Sequence, residues 1–497
     1  MMNESQIMIR NVGSLLVQRG FHIVASLLLA VLVPRIMGPS NYGRYVLITS
    51  LSLWFLVLTD LGLTQVMGRY IPQFRLQGEK EGLQKFFSNI LTMSLVSGAL
   101  CACLYLLFTA FWLTDLDLFL LITLAATLFV RSSSHPFFTL FLGLNQAARW
   151  GMGETFRHWF LLVSVTSGFY LGGLLGALVG LLITELVVLS IGVGWGKSYC
   201  SWAQMRLDIP YLIPYLRFGF IFFISHLLTS VSQYSGTVLI RFFYPDYVQV
   251  SYFGLANNIY LGISFVIPQF TLAFAPLMVT LQAQGKTESV RQWIEQLING
   301  LTVGGMFVVF GVLLLGNNLV PLVLGSAYQP VAANLFPLSL TLWVQVLSSV
   351  AILLTLVYNC PKIAVMSAVI RLAALWIFGP FLVAKWGSLG GCFAVLFASA
   401  ICAGYLTWRM KRVITYSLRK WASIIALGFI FLPLLWLQSS WPINALLYAV
   451  FVVGYCVLLL FLRIITFSEV VAVGRAFRSK NAIFNASKSV GKEYLDG

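Results

Sequence analysis

Apolar residues in this chain form long runs, with none of the short amphipathic stripes of a soluble fold. Runs of about 20 mostly apolar residues recur along the chain, each long enough to cross a ~30 Å hydrocarbon core as a helix. The pattern predicts fourteen spans: 14–37, 43–66, 86–110, 118–143, 158–173, 175–196, 216–240, 251–275, 297–316, 335–358, 363–383, 388–408, 421–438 and 443–462. The ten-residue alternation of a membrane β-barrel is not found. The expected fold class is an all-α polytopic membrane protein.

Composition agrees. The chain has 497 residues, of which 59% are hydrophobic and 9% charged, and its mean hydropathy is +0.90. A soluble domain carries about 25% charged residues. Nor does the first span end in a small-residue cleavage site, so it is expected to be a retained helix.

Charge sets the orientation. With the amino terminus in the cytoplasm, 24 of the 31 Lys and Arg residues fall in inside loops and termini. Only Arg35, Arg44, Arg241 and Lys385 fall outside, while Arg19, Arg131 and Arg371 lie within spans. Such a bias predicts both termini on the cytoplasmic side of the inner membrane. It also accounts for the net charge of +16 without a nucleic-acid partner.

The stretch "VLVPRIMGPSNYGRYVL" (31–47) supplies the first outward corner: Gly38 and Pro39 end one span, and Tyr42 and Gly43 lead into the next. A weaker copy, "VLIRFFYPDYVQVSYFGLA", follows at 238–256. An offset of about 208 residues superposes spans one to six on spans seven to twelve, as in parallel-repeat transporters. The organisation expected is a six-helix bundle at 1–215, a second at 216–412, two further helices at 413–465 and a basic cytoplasmic tail at 466–497.

Ionisable residues inside spans are where chemistry is sought, because each would cost roughly 2.5–3.5 kcal/mol facing lipid at mid-helix. They are Arg19, Asp60, Arg131, Glu185 and Arg371. Arg19, His22 and Ser26 share one helical stripe, and Arg131 and His135 lie one turn apart, followed by Pro136, which is expected to bend its helix. Two readings stay open. Arg19–Asp60 and Arg131–Glu185 are ion pairs that tie helices together, or Arg19, His22, Arg131, His135 and Arg371 line a wet cavity for an anionic headgroup. Arginine suits phosphate through its planar, permanently charged fork. Asp60 and Glu185 are candidates for a coupling ion.

Other motifs carry less. "GVGWGKS" (192–198) lacks the first glycine of a phosphate-binding loop, since Ile191 stands there. Gly172, Gly176 and Gly180 read as close helix packing. The seven cysteines form no C-x-x-C pair, and no metal cluster or cofactor motif is present in the sequence. No loop is long enough for a catalytic domain, which argues against an enzyme.

"RIMGPSNYGRYVLITSLSLWFLVLTDLGLTQVMGRYIPQF" resembles the amino-terminal signature of Wzx/RfbX-type polysaccharide-export flippases, in which a "GPxxYG" corner precedes a "DLGL" stretch and a basic loop. The matching residues are Gly38, Pro39, Tyr42, Gly43, Asp60–Leu63 and Arg69. "GSLGG" (387–391) is similar to a glycine turn those proteins carry before their twelfth helix. The resemblance implies the multidrug/oligosaccharidyl-lipid/polysaccharide (MOP) exporter fold, two bundles around a cavity with alternating access. It also implies a polyprenyl-diphosphate-linked glycan as substrate, in contact with membrane lipid. A polysaccharide polymerase or chain-length protein could work beside such a flippase. The alternatives are a cation-coupled drug exporter or a peptidoglycan-precursor flippase on the same fold and, from a different class, a membrane polymerase or glycosyltransferase.

Overall fold

The computed structural model describes residues 4–201 and 205–462, except the side chains of 4–20, 22, 23, 147 and 276. The side chains of Arg19 and His22, and the tail 466–497, lie outside the described residues.

The described chain is helical, with no strand. Its helices are α1 (Glu4–Asp60), α2 (Leu63–Gln77), α3 (Lys80–Trp112), α4 (Leu118–Gly143), α5 (Ala147–Gly196), α6 (Ile209–Phe243), α7 (Tyr247–Ser264), α8 (Val266–Ala273), α9 (Ala275–Ala283), α10 (Thr287–Leu324), α11 (Pro330–Val357), α12 (Pro361–Lys411), α13 (Arg419–Phe429) and α14 (Trp441–Phe461). Among the described residues, eleven helical runs are long and apolar enough to cross a membrane. This is a multi-pass membrane protein.

Eleven runs stand against the fourteen spans expected, because three runs contain breaks. Helix α1 is 57 residues long, which as a straight rod would reach roughly 85 Å, nearly three hydrocarbon cores. Its helical geometry breaks at Gly38 (φ 71°, ψ 168°), a conformation that side chains with a Cβ rarely adopt. Helix α5 breaks at Gly172 and Gly173, and α12 at Gly387. Each break falls where the sequence places a turn between spans. Within α5 the two halves cross closely: a Cβ on Gly176 would lie 2.0 Å from the Gly168 carbonyl oxygen, and one on Gly180 would lie 2.2 Å from that of Ser164.

Helix α4 runs unbroken through Pro136. A proline frees the carbonyl four residues back, here Ser132 O, and the Ser94 hydroxyl donates to that oxygen at 3.0 Å. The helix stays continuous because the orphaned acceptor is satisfied by α3.

The chain divides into two compact units. The first runs to Leu255 and includes Val323–Tyr328 and Leu375–Gly391. Part of its core joins Val66, Met67 and Ile71 of α2 to Phe86, Phe87 and Ile90 of α3, Phe137 and Leu140 of α4 and Leu212 of α6. The first half of α6 seats on α2 by glycine contact and by rings. A Cβ on Gly62 would fall 2.4 Å from Gly219 O, and Tyr70 meets Tyr215 edge-on at 4.7 Å. The second unit comprises Ala256–Leu322, Gln329–Ala374 and the chain from Cys392. There α13 and α14, expected as an appendage, share a core with α10 and α11: Phe310 stacks on Phe451 at 3.9 Å, and the Tyr455 hydroxyl donates to Ile424 O at 2.8 Å.

Candidate functional site

The first unit gathers buried charge from three helical segments. Arg131, Ser134 and His135 come from α4, Glu154 and Arg157 from the first half of α5, and Glu185 from its second half. Arg157 is 6% exposed and Glu185 2%. Arg157 donates to Glu154 Oε1 at 2.7 Å and to the Ser134 hydroxyl at 3.5 Å, and its Nε lies 3.3 Å from Glu185 Oε1. Phe138 lies 5.9 Å from the guanidinium. A cation this deeply enclosed persists only when paired, and Arg157 has two carboxylates.

Arg131 is held differently. Its Nε lies 3.9 Å from the same Glu185 Oε1, and its side chain is 40% exposed. The pairing read from the sequence, Arg131 with Glu185, is therefore the looser of two, since Arg157 occupies Glu185 at shorter range. Glu185 Oε2 is buried without a hydrogen-bond partner. His135 is exposed, lies among the charges of Asp60, Arg157, Glu154 and Arg131, and sits 3.4 Å from the Thr139 hydroxyl through Nδ1.

Asp60 closes α1. Its Oδ1 accepts from the backbone N–H of Thr64 at 3.1 Å and from the Thr64 hydroxyl at 2.6 Å. Leu61 and Gly62 between them have φ of +45° and +81°. The "DLGL" stretch is thus a helix break stabilised by its own carboxylate. Of the corner residues, Tyr42 is buried, and a Cβ on Gly43 would fall 1.9 Å from Tyr247 O, so no other residue fits there without movement.

Arg371 belongs to the second unit, on α12. It is half-buried near Tyr260 and Cys402, and among the described residues it has no carboxylate within ion-pair distance. The same unit holds an apolar cavity of about 600 Å³, lined by Phe270, Phe274, Trp293, Leu297, Gly300 and Gly304 among others. A Cβ on Gly300 or Gly304 would touch nothing within 4 Å.

Sequence reasoning missed Glu154 and Arg157, placing Arg157 at the cytoplasmic edge of a span that began at residue 158. The signal was available: 158–173 is only sixteen residues, short of the about 20 a crossing helix needs. Extending it by one turn takes in both residues.

Comparison with known proteins accords with this architecture. The family described as polysaccharide biosynthesis protein matches residues 8–282, more than half of the chain, and the chain belongs to that family. No individual curated protein matches by sequence. Among solved structures, an inward-facing multidrug resistance MATE family transporter of the MOP superfamily superposes with a TM-score of 0.67 at 16% identity, over 80% of this chain and 94% of that one. The lipid II flippase MurJ, in an inward closed conformation, also gives 0.67, at 15% identity over 91% of this chain and 100% of that one. A eukaryotic MATE transporter gives 0.57 at 16% identity, over 81% and 96%. These likenesses show that the chain shares the fold of these transporters.

Proposed function

We propose that the chain is a flippase that moves a polyprenyl-diphosphate-linked oligosaccharide from the inner to the outer leaflet of the cytoplasmic membrane by alternating access. One observation supports this most: beside Arg157, which has two carboxylates, the chain keeps Arg131 half-exposed on its weaker 3.9 Å contact. A guanidinium left available at membrane depth suits a diphosphate, which accepts bidentate hydrogen bonds from it. Arg371 offers a second free cation, and the apolar cavity of the second unit offers a surface to an isoprenoid tail. A cation exporter on the same fold would want free carboxylates. Here Glu154 and Glu185 answer Arg157, and Asp60 caps α2. Both termini are proposed to be cytoplasmic, with the two sequence repeats forming the moving bundles.

The test is reconstitution of the purified chain in vesicles holding a fluorescent polyprenyl-diphosphate oligosaccharide, with leaflet exchange read by quencher protection. Exchange above protein-free vesicles, lost in Arg131→Ala at equal incorporation, is expected. No exchange with any diphosphate-linked glycan, or exchange indifferent to Arg131, would defeat the proposal.

A further inference from the structure

Lys and Arg are disfavoured on the outer side of a membrane protein, and the topology above leaves only Arg35, Arg44, Arg241 and Lys385 there. The fold brings all four to one corner of the first unit. Arg44 and Arg241 flank a single ring, at 5.3 and 4.5 Å from the centroid of Tyr247. Arg35 donates to Val323 O at 3.3 Å, in the same segment whose Tyr328 hydroxyl donates to Pro34 O at 2.8 Å. Lys385 follows Ala384, whose carbonyl accepts from the Tyr244 hydroxyl at 3.2 Å.

The neighbouring acids do not balance this charge. Asp117 accepts from the N–H of Phe119 at 3.0 Å and Asp246 from that of Val248 at 2.9 Å, each at the start of a helix. Asp115 alone of the three answers a guanidinium. Its Oδ2 accepts from Arg241 Nη2 at 2.9 Å and from the Tyr247 hydroxyl at 2.7 Å. Arg44 Nε is buried with no acceptor. The pair is also lopsided: the Arg241 side chain is 13% exposed and that of Asp115 45%. Asp115 is therefore the partner that can swing into water at little cost, while Arg241 stays.

We propose that this corner is an exit latch opened by a diphosphate: Arg44, Arg241 and the Tyr247 hydroxyl take the anion in place of Asp115, and release of Asp115 frees the corner to part. This rests on the flippase reading and names where its diphosphate leaves. One carboxylate offers a single negative charge, whereas a diphosphate offers more charge and enough oxygens to serve both forks. The latch thus resists ordinary monovalent anions.

The test uses the full chain in membranes with its outer face accessible, and Thr49→Cys, at a half-buried position on α1 five residues past Arg44, as a reporter for a membrane-impermeant thiol reagent, read against the chain without the reporter. Inorganic pyrophosphate on the outer side should raise labelling, and Asp115→Asn should raise it without pyrophosphate, each roughly tenfold, equivalent to about 1.4 kcal/mol. Arg44→Gln with Arg241→Gln should abolish the pyrophosphate response. Labelling indifferent to pyrophosphate, or raised equally by sulfate at matched ionic strength, overturns the latch, and the pyrophosphate arm needs no latch substitution that could misfold. A chain that answers pyrophosphate here but moves no lipid-linked glycan keeps the latch and loses the flippase reading. The reverse result loses the latch alone.

Discussion

Arg157→Leu separates scaffold from binding site within one charged cluster. Arg157 and Glu185 are almost wholly buried, and their nearest approach is 3.3 Å. Without Arg157, Glu154 loses its 2.7 Å partner and Glu185 keeps only Arg131 at 3.9 Å. Removing one member of a buried pair costs about 3–5 kcal/mol. Glu185 can shift toward Arg131, and Glu154 can turn outward because its side chain is 27% exposed. The expected loss is therefore near the lower end, about 3 kcal/mol, or roughly two powers of ten in the folded-to-unfolded ratio. Thermal unfolding in lipid-detergent micelles, with membrane abundance measured in parallel, reads it. The double variant Arg157→Leu/Glu185→Leu should recover much of the loss, since apolar residues of similar volume often replace buried charges neutrally. Arg131→Ala should cost less than about 1 kcal/mol, because its contact is long and partly solvated. The reasoning is refuted if Arg157→Leu destabilises no more than Arg131→Ala, or if the double variant is worse than the single.

Other outcomes follow from single contacts. Gly43→Ala places a methyl against the Tyr247 carbonyl and should lower stability by about 1–3 kcal/mol; an unchanged melting temperature would mean that the corner yields. Arg371→Ala should abolish flipping while abundance holds, whereas equal losses of both would mark a packing residue. Asp60→Ala should remove the cap on α2 at about 1 kcal/mol and Asp60→Asn should restore it, so a flipping defect that persists in Asp60→Asn at restored stability would report on the charge. Burial pushes the Asp115 carboxyl up, but the Tyr247 hydrogen bond and the Arg241 charge outweigh it and hold the group below its ordinary value. A depressed carboxyl contributes its bond above the unfolded value and loses it as pH falls through the folded one. Reporter labelling, taken relative to a freely exposed thiol labelled at the same pH because only the thiolate reacts, should therefore stay flat from about pH 8 to about pH 5 and rise only below the usual aspartate value of about 3.9.

Much of the fold was legible because a membrane permits few solutions: apolar runs of one length, turned at glycines. Gly38, Gly172, Gly173 and Gly387 break helices where the hydrophobic runs pause. Pairing was less legible, for a physical reason. Hydropathy weighs a residue by its type, so it assigns Arg157 to water on sight, although two carboxylates and a serine hold it inside. Likewise the carbonyl that Pro136 leaves without its helical donor, Ser132 O, is met by Ser94, 38 residues from Ser132 in sequence.

The corner at 31–47 and its echo at 238–256 show what a motif can hide when read one copy at a time. Each alone reads as a turn rich in Gly, Pro and Tyr, which any tight membrane hairpin would want. In the fold they meet. Gly43 is small because the backbone of Tyr247 passes it at contact distance, and Tyr247 carries Arg44 from one copy and Arg241 from the other near its ring. Tyr42 and Tyr252 each meet Tyr328 edge-on, at 6.4 and 6.5 Å. The close approach of Gly43 to Tyr247 ties the two copies mechanically, and Arg44 beside the Tyr247 ring ties them electrically. A structural corner has no need of the second tie, because packing alone would hold it. Under the exit-latch proposal, Arg44 and Arg241 are the groups through which an incoming anion would part this contact.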